Sequence, residues 1–219
     1  MPQEARREER RTRLLASGFE LFGTRGYHAA TVREICTHAR LTERYFYESF
    51  ANLQALFKAV HKQLHVDLQQ RTFGAIARAP RTPDGMAEAS LRVFFEFVRE
   101  DPRRGQILLV EAANAGEEMR EQAHGTIADY VNLSRNVIVM LFPTIQSELA
   151  LDPGYVAQGL VGSLIFQFYR WAEEDFKTPL ESLVNSTMVF HRALAVYLTK
   201  ARLELAQAKQ APEKPTDAG

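Results

Sequence analysis

The residue types best suited to binding chemistry are concentrated in one ten-residue stretch, LTERYFYESF, at positions 41–50. It combines four aromatic rings with one arginine and two glutamates, a mixture that suits neither a buried segment nor an ordinary exposed one. Arginine and tyrosine donate hydrogen bonds, whereas phenylalanine can only pack. We therefore expect a segment with two faces, one that packs against the chain and one that contacts a partner.

The sequence patterns of common catalytic sites are absent: the chain has no HExxH, no glycine-rich phosphate loop and no nucleophile elbow. His61 and His65 are one helical turn apart, which could pair them on a metal. No partner carboxylate or thiol is obvious, so we interpret them as a surface pair. Cys36, the single cysteine, lies on an apolar helix face and is predicted to be buried and unreactive. We predict no enzyme activity, no metal and no cofactor.

The net charge of the 219 residues is zero, but the charges are unevenly distributed. Residues 1–60 contain ten Lys/Arg against seven Asp/Glu, and residues 6–13 contain five arginines. A solvated, partly disordered tip explains these arginines as well as an anionic partner does. The longest uncharged run, 153–169, is shorter than the roughly 20 residues of a membrane span, so we interpret it as a buried helix. A single cysteine and a charged start favour a cytoplasmic protein without a membrane partner.

The elements that must position the 41–50 stretch are helices, because apolar residues recur with helical spacing nearly everywhere. We predict an all-α chain of about nine helices. A compact set of short helices extends to about residue 51, and a bundle of longer helices covers residues 52–207. Residues 208–219 are polar and contain proline, which is typical of a disordered tail.

Two short helices joined by a tight turn are predicted in the N-terminal part. Thr31 and Glu34 form a capping box at the start of the first, and Thr42 is the N-cap candidate of the second. Phe46 and Phe50 are four residues apart, so they share an inward face and leave arginine and tyrosine side chains outside. This is the helix-turn-helix arrangement, whose second helix enters the major groove of DNA and contacts base edges.

Residues from about 10 to 60 resemble the DNA-binding domain of the tetracycline-repressor (TetR) family of transcriptional regulators. The resemblance implies an N-terminal three-helix helix-turn-helix DNA-binding domain over 1–51 and a C-terminal helical ligand-binding and dimerisation bundle over 52–207. Beyond residue 60 only length and helical layout match. The matching positions, closest over Leu41–Phe50, are Phe19, Phe22, Gly23, Gly26, Tyr27, Thr31, Val32, Ile35, Ala39, Leu41, Thr42, Phe46, Tyr47, Phe50 and Leu56.

The resemblance also implies contacts with double-stranded DNA for seven residues. The second helix would meet a phosphate and a base edge, and the third helix would meet a phosphate at its start, bases along its exposed face and a phosphate through a tyrosine hydroxyl. In that order these residues are Thr31, Arg33, Thr42, the base-facing Glu43, Arg44 and Tyr45, and Tyr47. Arg44 is the expected reader of guanine.

Three positions depart from the family pattern. Arg40 stands where the turn usually has glycine, and a positive φ there would cost on the order of 1 kcal/mol. Ser49 replaces a common histidine, and Leu53 replaces a common lysine at the start of the fourth helix, which removes one expected phosphate contact. Backbone N–H groups at that helix start could bind the phosphate instead.

A homodimer is expected because one recognition helix contacts only a few base pairs, and paired helices lie one turn of DNA, roughly 34 Å, apart. The last two predicted helices carry enough apolar surface, although burial within a single chain explains that surface equally well. The resemblance favours an interface of two helices from each subunit. Its candidate residues are Gly159, Gly162, Phe166, Val189 and Leu194.

The aromatic-rich middle helices either fill one core or leave a pocket with a few polar groups. An unknown effector, small and largely apolar, would bind there and release the protein from a palindromic operator. The candidate pocket residues are Phe94, Phe97, Glu111, Asn114, Tyr130, Gln167 and Trp171. The competing interpretation is a helical scaffold that binds a protein partner and no DNA. Salt dependence separates the two, because DNA binding weakens steeply as salt rises.

Overall fold

The structure is a computed structural model that describes residues 3–210, with side chains up to residue 207, and within that part the chain is helical and has no strand. A π-helix, Gln106–Glu111, lies between the sixth and seventh helices. The α-helices are α1 (Gln3–Arg25), α2 (Val32–Ala39), α3 (Glu43–Tyr47), α4 (Leu53–Arg78), α5 (Pro83–Glu100), α6 (Pro102–Gly105), α7 (Ala112–Asn114), α8 (Glu117–Leu141), α9 (Ile145–Leu149), α10 (Pro153–Glu173) and α11 (Leu180–Gln210).

Helices α1 to α3, called the N-terminal unit here, pack with the first turns of α4 around a closed aromatic core. Phe22, Phe46 and Phe57 are fully buried, and the rings of Phe22 and Phe57 meet edge to face with centroids 5.0 Å apart. The predicted capping box is present at the start of α2, where the Glu34 N–H donates to Thr31 Oγ1 at 3.2 Å and the Thr31 N–H donates to Glu34 Oε2 at 3.1 Å. These contacts hold α3 in one orientation.

The turn between α2 and α3 contains the left-handed residue that the sequence suggested. Arg40 has φ 53° and ψ 46°, a conformation that costs a non-glycine residue about 1–2 kcal/mol. The guanidinium of Arg13 donates to the carbonyls of Ala39 at 2.5 Å and Arg40 at 3.2 Å, which offsets part of that strain. Thr42 is the N-cap residue of α3, as predicted, and has an extended backbone, although its side chain makes no capping hydrogen bond.

The remaining long helices form a bundle in which α8 packs on α10, and α5 packs on both α4 and α11. One core of this bundle joins Phe95, Phe168 and Trp171 to the apolar face of α11. The Trp171 Nε1–H donates to the Thr178 carbonyl at 3.1 Å, which satisfies its polar atom inside that core. Within residues 3–210, every helix is too short or too polar to span a bilayer.

Three regions differ from the helices that the sequence predicts. The sequence predicts one helix over 102–114, after the Asp101-Pro102 start, but this segment is divided into α6, the π-helix and α7. The short α9, which ends at the left-handed residue Ala150, has no clear signal in the sequence. Helix α11 continues to Gln210, so the first three residues of the predicted tail are helical, while residues 211–219 lie outside the described residues.

Candidate nucleic-acid interface and ligand cavity

Helix α3 has the two faces that its sequence predicted. Phe46 is fully buried, whereas the side chain of Arg44 is 85% exposed and Tyr47 is 58% exposed. Glu43 is exposed as well. Among the described residues, the Arg44 side chain forms one ion pair, with Glu48, whose Oε1 accepts from Arg44 Nε at 3.3 Å. Helix α3 therefore presents a guanidinium, a carboxylate and a phenol to solvent within little more than one turn.

The arginines of α1 hold α3 rather than forming a disordered tip. The Arg10 guanidinium lies 4.4 Å from the ring centroid of Tyr45 and 3.5 Å from a carboxylate oxygen of Glu48. Arg11 donates to the Ser49 carbonyl at 3.1 Å. Because of these contacts Tyr45 is half-buried, so its ring is less available to bases than the sequence suggested. The disordered-tip interpretation is wrong for both arginines.

The remaining predicted DNA contacts, Thr31, Arg33 and Thr42, are all exposed. The Thr31 hydroxyl is engaged within the capping box, where it donates to Glu34 Oε2 at 2.8 Å. This hydrogen bond, with a smaller contribution from Arg25, lowers the pKa of the Glu34 carboxyl. A phosphate contact by Thr31 would therefore use its backbone or share its hydroxyl with Glu34.

A cavity with almost entirely apolar walls lies inside the bundle, between α4, α5, the π-helix, α8, α10 and α11. Its lining on α8 runs from Thr126 to Leu141, roughly 22 Å of helix at about 1.5 Å per residue. An elongated apolar space of this kind suits a ligand with a long hydrocarbon portion. Its few polar side chains are those of Thr72, Ser90, Thr126, Tyr130, Ser134 and His191.

Among the seven predicted pocket residues, Phe94 and Tyr130 line this cavity. Phe97 and Trp171 are buried in the packed cores instead, because aromatic residues on the middle helices fill space as often as they enclose it. The five predictions that the structure contradicts are Phe97, Glu111, Asn114, Gln167 and Trp171.

Glu111 has a different position, at the contact between the π-helix and the N-terminal unit. Its Oε2 accepts the backbone N–H of Tyr27 at 2.7 Å. Gly26 has φ 86°, and a Cβ at this position would lie 3.0 Å from the same Oε2. Leu108 and Leu109 of the same π-helix line the cavity. One six-residue segment thus contacts both the cavity and the loop before α2.

Two further contacts accompany Glu111 at this joint. Arg103 pairs with Glu20 of α1 and lies 4.8 Å from the ring centroid of Phe19. Asn114 contributes its backbone, since His28 Nε2 lies 2.9 Å from the Asn114 carbonyl oxygen. The joint therefore ties both α1 and the loop before α2 to the segment 103–114.

His61 is not on the surface, so the prediction of a surface pair is wrong. His61 is fully buried, and its Nδ1 lies 3.1 Å from the Gln122 amide nitrogen. Burial lowers the pKa of His61 to about 4 and also lowers that of His65. Within residues 3–210 no cluster of His, Cys, Asp and Glu side chains is arranged to hold a metal ion.

A shallow cleft between α4 and α8 adjoins the cavity, and Thr126 lines both. Lys58 and Lys62 lie on the α4 side of the cleft, with His65 one turn further along. Asp129 lies on the α8 side, 3.4 Å from His65 Nε2. The residues of α4 and α8 thus include charged side chains in the cleft and are mostly apolar in the cavity.

An exposed apolar stripe runs along α10. Tyr155, Gly159, Gly162 and Phe166 recur at spacings of three and four residues, with Tyr155 78% and Phe166 76% exposed. A Cβ at either glycine would meet nothing within 4 Å, so the chain itself leaves this face open.

Helix α11 carries a second exposed apolar set, and one predicted interface residue is not part of it. Leu194 is half-buried and lines the cavity, so it faces the interior instead of a partner. The exposed residues are Val189, Phe190, Val196, Tyr197 and Leu203.

Comparisons with known proteins agree with this geometry. Residues 14–60 match the family described as bacterial regulatory proteins, tetR family. The HTH-type transcriptional activator FasR of Mycolicibacterium smegmatis is 28% identical over 191 residues, which cover 84% of this chain and 82% of that protein.

Two solved structures share the fold. The fatty acid degradation regulator FadR from Bacillus halodurans has a TM-score of 0.74 at 17% identity and covers 85% of this chain and 94% of its own. FadR from Bacillus subtilis in complex with stearoyl-CoA has a TM-score of 0.72 at 19% identity and covers 82% and 96%.

Proposed function

Because this chain belongs to the tetR family of bacterial regulatory proteins, we propose that it is a repressor that binds a palindromic operator as a homodimer and is released by a ligand with a long apolar portion. It is a transcriptional regulator and not an enzyme. The observation that carries the proposal is α3, where Arg44 and Tyr47 are exposed opposite the buried Phe46. Since such a role requires access to chromosomal DNA, we also propose a cytoplasmic location.

The ion pair between Arg44 and Glu48 is weak, so the Arg44 guanidinium is available for DNA recognition. Its exposed ion pair with Glu48 contributes only about 0.3–0.5 kcal/mol, whereas a bidentate contact with guanine provides about 1–3 kcal/mol of discrimination. Arg44 therefore exchanges Glu48 for a base edge when α3 enters the major groove. Tyr47 donates to a phosphate, and the exposed Arg33 contacts a second base edge.

The test is selection of binding sites from random duplex DNA with the wild type, Arg44→Ala and a control, Arg135→Ala. Arg135 is an exposed residue on α8. Arg44→Ala should weaken the selected site about 5- to 150-fold, the equivalent of 1–3 kcal/mol, and relax the base preference at one position of each half-site. Arg135→Ala should change neither. An unchanged base preference in Arg44→Ala would remove Arg44 from the recognition role.

The exposed faces of α10 and α11 support the homodimer. Exposed rings at Tyr155 and Phe166 flank two glycines that permit close approach of a second backbone. Gly162→Arg is the sharpest test, because a Cβ at this position meets nothing within 4 Å in one chain, whereas a partner packed on this face would collide with the new side chain. Analytical ultracentrifugation should show a dimer for the wild type and for Ala128→Arg on α8, and a monomer with weakened operator binding for Gly162→Arg. A dimer that persists in Gly162→Arg would place the interface elsewhere.

The apolar cavity supports an effector with a long hydrocarbon chain. The B. subtilis FadR that shares this fold was solved with stearoyl-CoA, and we propose a fatty acyl thioester as the effector class here. The ligand acts by favouring a conformation in which the two α3 helices no longer match successive major grooves. Complete release requires that it prefer this conformation by roughly 5 kcal/mol.

The π-helix is the path by which the cavity reaches the DNA-binding unit. Leu108 and Leu109 contact the cavity, and Glu111 in the same segment accepts the Tyr27 N–H. A chain in the cavity displaces these leucines, moves the Glu111 carboxylate and so shifts the loop before α2. π-Helical segments often occur at functional positions.

Operator binding in the presence of myristoyl-CoA tests the effector class. The ligand should weaken operator affinity in the wild type and in Val66→Trp, an exposed control on α4. It should have little effect in Val137→Trp, whose new ring occupies the cavity. An equal response of all three proteins would show that the cavity is not the effector site.

The direction of regulation needs its own measurement, since FasR is named an activator. In vitro transcription from a promoter that carries the selected operator should fall when the protein is added and recover when myristoyl-CoA follows. Stimulation by the protein alone would show that the same DNA contact activates transcription.

A further inference from the structure

We propose that the cavity and the α4–α8 cleft bind one amphipathic ligand, with its acyl chain in the cavity and a phosphate-bearing head against Lys58 and Lys62. The inference rests on the proposed effector role of the cavity and specifies the other end of the ligand. Thr126, which lines both spaces, is the point where the chain passes into the head-group region.

Helices α4 and α8 run side by side in the same direction along this path. Lys58 pairs with Glu118, His61 contacts Gln122 at 3.1 Å, and His65 Nδ1 lies 3.5 Å from Thr126 Oγ1. The order of these contacts along both helices makes the cleft and the cavity successive stretches of one groove. A single elongated molecule can therefore contact both without a change of direction.

Buried polar atoms mark the junction between the two stretches. The Tyr130 hydroxyl is buried and makes no hydrogen bond of normal geometry among the described residues, although the Thr72 hydroxyl lies near it. The His65 ring lies 5.8 Å from the Tyr130 ring, between centroids. A buried donor without a good partner is unfavourable, and a ligand carbonyl at this point would accept from Tyr130. The ester or thioester carbonyl between an acyl chain and its head has the required chemistry.

The charges of the cleft fit an anionic head. Lys62 is exposed and has no ion-pair partner among residues 3–210. Lys58 pairs with Glu118, but this pair is partly exposed, and exposed pairs are weak enough to be exchanged for a ligand phosphate. Asp129 faces the same cleft with a carboxylate oxygen 3.4 Å from His65 Nε2, so an anionic head lies on the lysine side, away from this carboxylate. Lysine binds phosphate as a point charge, which suits a flexible head group.

Two sources share this chemistry, the coenzyme A thioester of a fatty acid and a monoacyl glycerol phosphate. Myristoyl-CoA and myristoyl glycerol phosphate represent them, methyl myristate supplies the chain and carbonyl without phosphate, and coenzyme A supplies the head without the chain. Isothermal titration of each compound into the full-length protein separates chain binding from head binding and distinguishes the two sources.

The decisive variant is Lys58→Glu/Lys62→Glu, compared with Lys177→Glu, which reverses an exposed lysine on the α10–α11 loop. The double variant should bind myristoyl-CoA at least tenfold more weakly than the wild type and should bind methyl myristate as the wild type does. Lys177→Glu should bind both compounds normally. A second variant, Tyr130→Phe, leaves the charges of the cleft unchanged. It should weaken the binding of both myristoyl-CoA and methyl myristate severalfold, because it removes the hydroxyl that donates to their carbonyl.

The possible outcomes separate this inference from the proposed function. Equal weakening of myristoyl-CoA and methyl myristate in the double variant, or no weakening of either, would overturn the head-group site and leave the effector cavity intact. Failure of every chain compound to bind the wild type would overturn the effector role itself. Thermal unfolding midpoints that match the wild type verify that each variant is folded, and Tyr130→Phe keeps the inference testable if the double variant is not.

Discussion

The N-terminal unit and the bundle use the same residue types in opposite ways. In the N-terminal unit, Phe22, Phe46 and Phe57 fill a closed core and the functional surface is the polar outer face of α3. In the bundle, Phe94 lines the cavity and Phe166 is exposed. A tightly packed core resists deformation, so it holds the exposed side chains of α3 in fixed positions. The cavity and the exposed apolar faces of the bundle can instead accept other molecules. In the proposed function, rigid packing supports DNA recognition, and incomplete packing supports the binding of the ligand and the second subunit.

The largest expected effect contrasts a core ring with a cavity wall. Phe46→Ala should lower the free energy of unfolding by about 3–5 kcal/mol, because the filled core cannot collapse around the lost ring. Leu133→Ala, on the cavity wall, should cost less than about 2 kcal/mol, because its side chain already faces unfilled space. Urea unfolding of both variants checks this contrast. Equal losses would mean that the cavity wall is as tightly packed as the N-terminal core.

The second effect concerns His61, a buried ionisable group in the bundle. Its pKa of about 4 in the folded chain lies below the ordinary value of 6.5, so the unfolded chain binds the proton more tightly between these two pH values. Stability should therefore fall as pH decreases from 6.5 to 4, by roughly 3 kcal/mol from this residue. His61→Gln should lose less stability over the same window, and the exposed His124→Gln should behave as the wild type. If the stability of the wild type and of His61→Gln changed equally with pH, His61 would not be a neutral ring buried in the folded chain.

The third effect tests the joint between the two regions. Gly26→Ala places a side chain at φ 86° and against the Glu111 carboxylate. It should lower the free energy of unfolding by at least about 1–2 kcal/mol, which is the cost of the backbone strain alone. Gly125→Ala, in α8 with nothing within 4 Å of its Cβ, should instead be neutral or stabilise by up to about 1 kcal/mol. Differential scanning calorimetry of both variants measures the contrast. A Gly26→Ala protein as stable as the wild type would show that the loop adapts freely and cannot transmit a signal.

The smallest effect is the most specific to coupling. Glu111→Gln keeps the size of the side chain and replaces a charged acceptor of the Tyr27 N–H by a neutral one, a change of about 1 kcal/mol. The ratio of operator affinities measured without and with myristoyl-CoA should decrease severalfold. Glu117→Gln on exposed α8 is the control and should preserve the ratio. An undiminished ratio in Glu111→Gln would exclude this hydrogen bond from the coupling path.

The N-terminal unit was the more predictable of the two regions, because its determinants are local in sequence. The capping box of Thr31 and Glu34, the spacing of Phe46 and Phe50, and the left-handed Arg40 all follow from residues within a few positions of each other. The contacts of Arg10 with Tyr45 and Glu48 did not follow, since they join residues more than thirty positions apart.

The bundle was predictable in its helices but not in the direction of individual side chains. Trp171 and Phe94 have the same aromatic character in the sequence, yet one is buried in a core and the other lines the cavity. Leu194 faces the cavity and the exposed Val189 does not, and both lie on a helix that is apolar on several sides. Which face of such a helix is covered depends on where its neighbours pack. Glu111 and His61 were misassigned for the same reason, since their partners come from distant segments.

The most direct test of the central claim is a hydroxyl-radical footprint of the full-length protein on its selected operator, with and without myristoyl-CoA. The account predicts two symmetric protected half-sites whose centres are one turn of DNA, about 34 Å, apart, and loss of both protections together when the ligand is added. A single unpaired protection, or no sequence-specific protection even at low salt, would contradict the paired insertion of α3 into DNA.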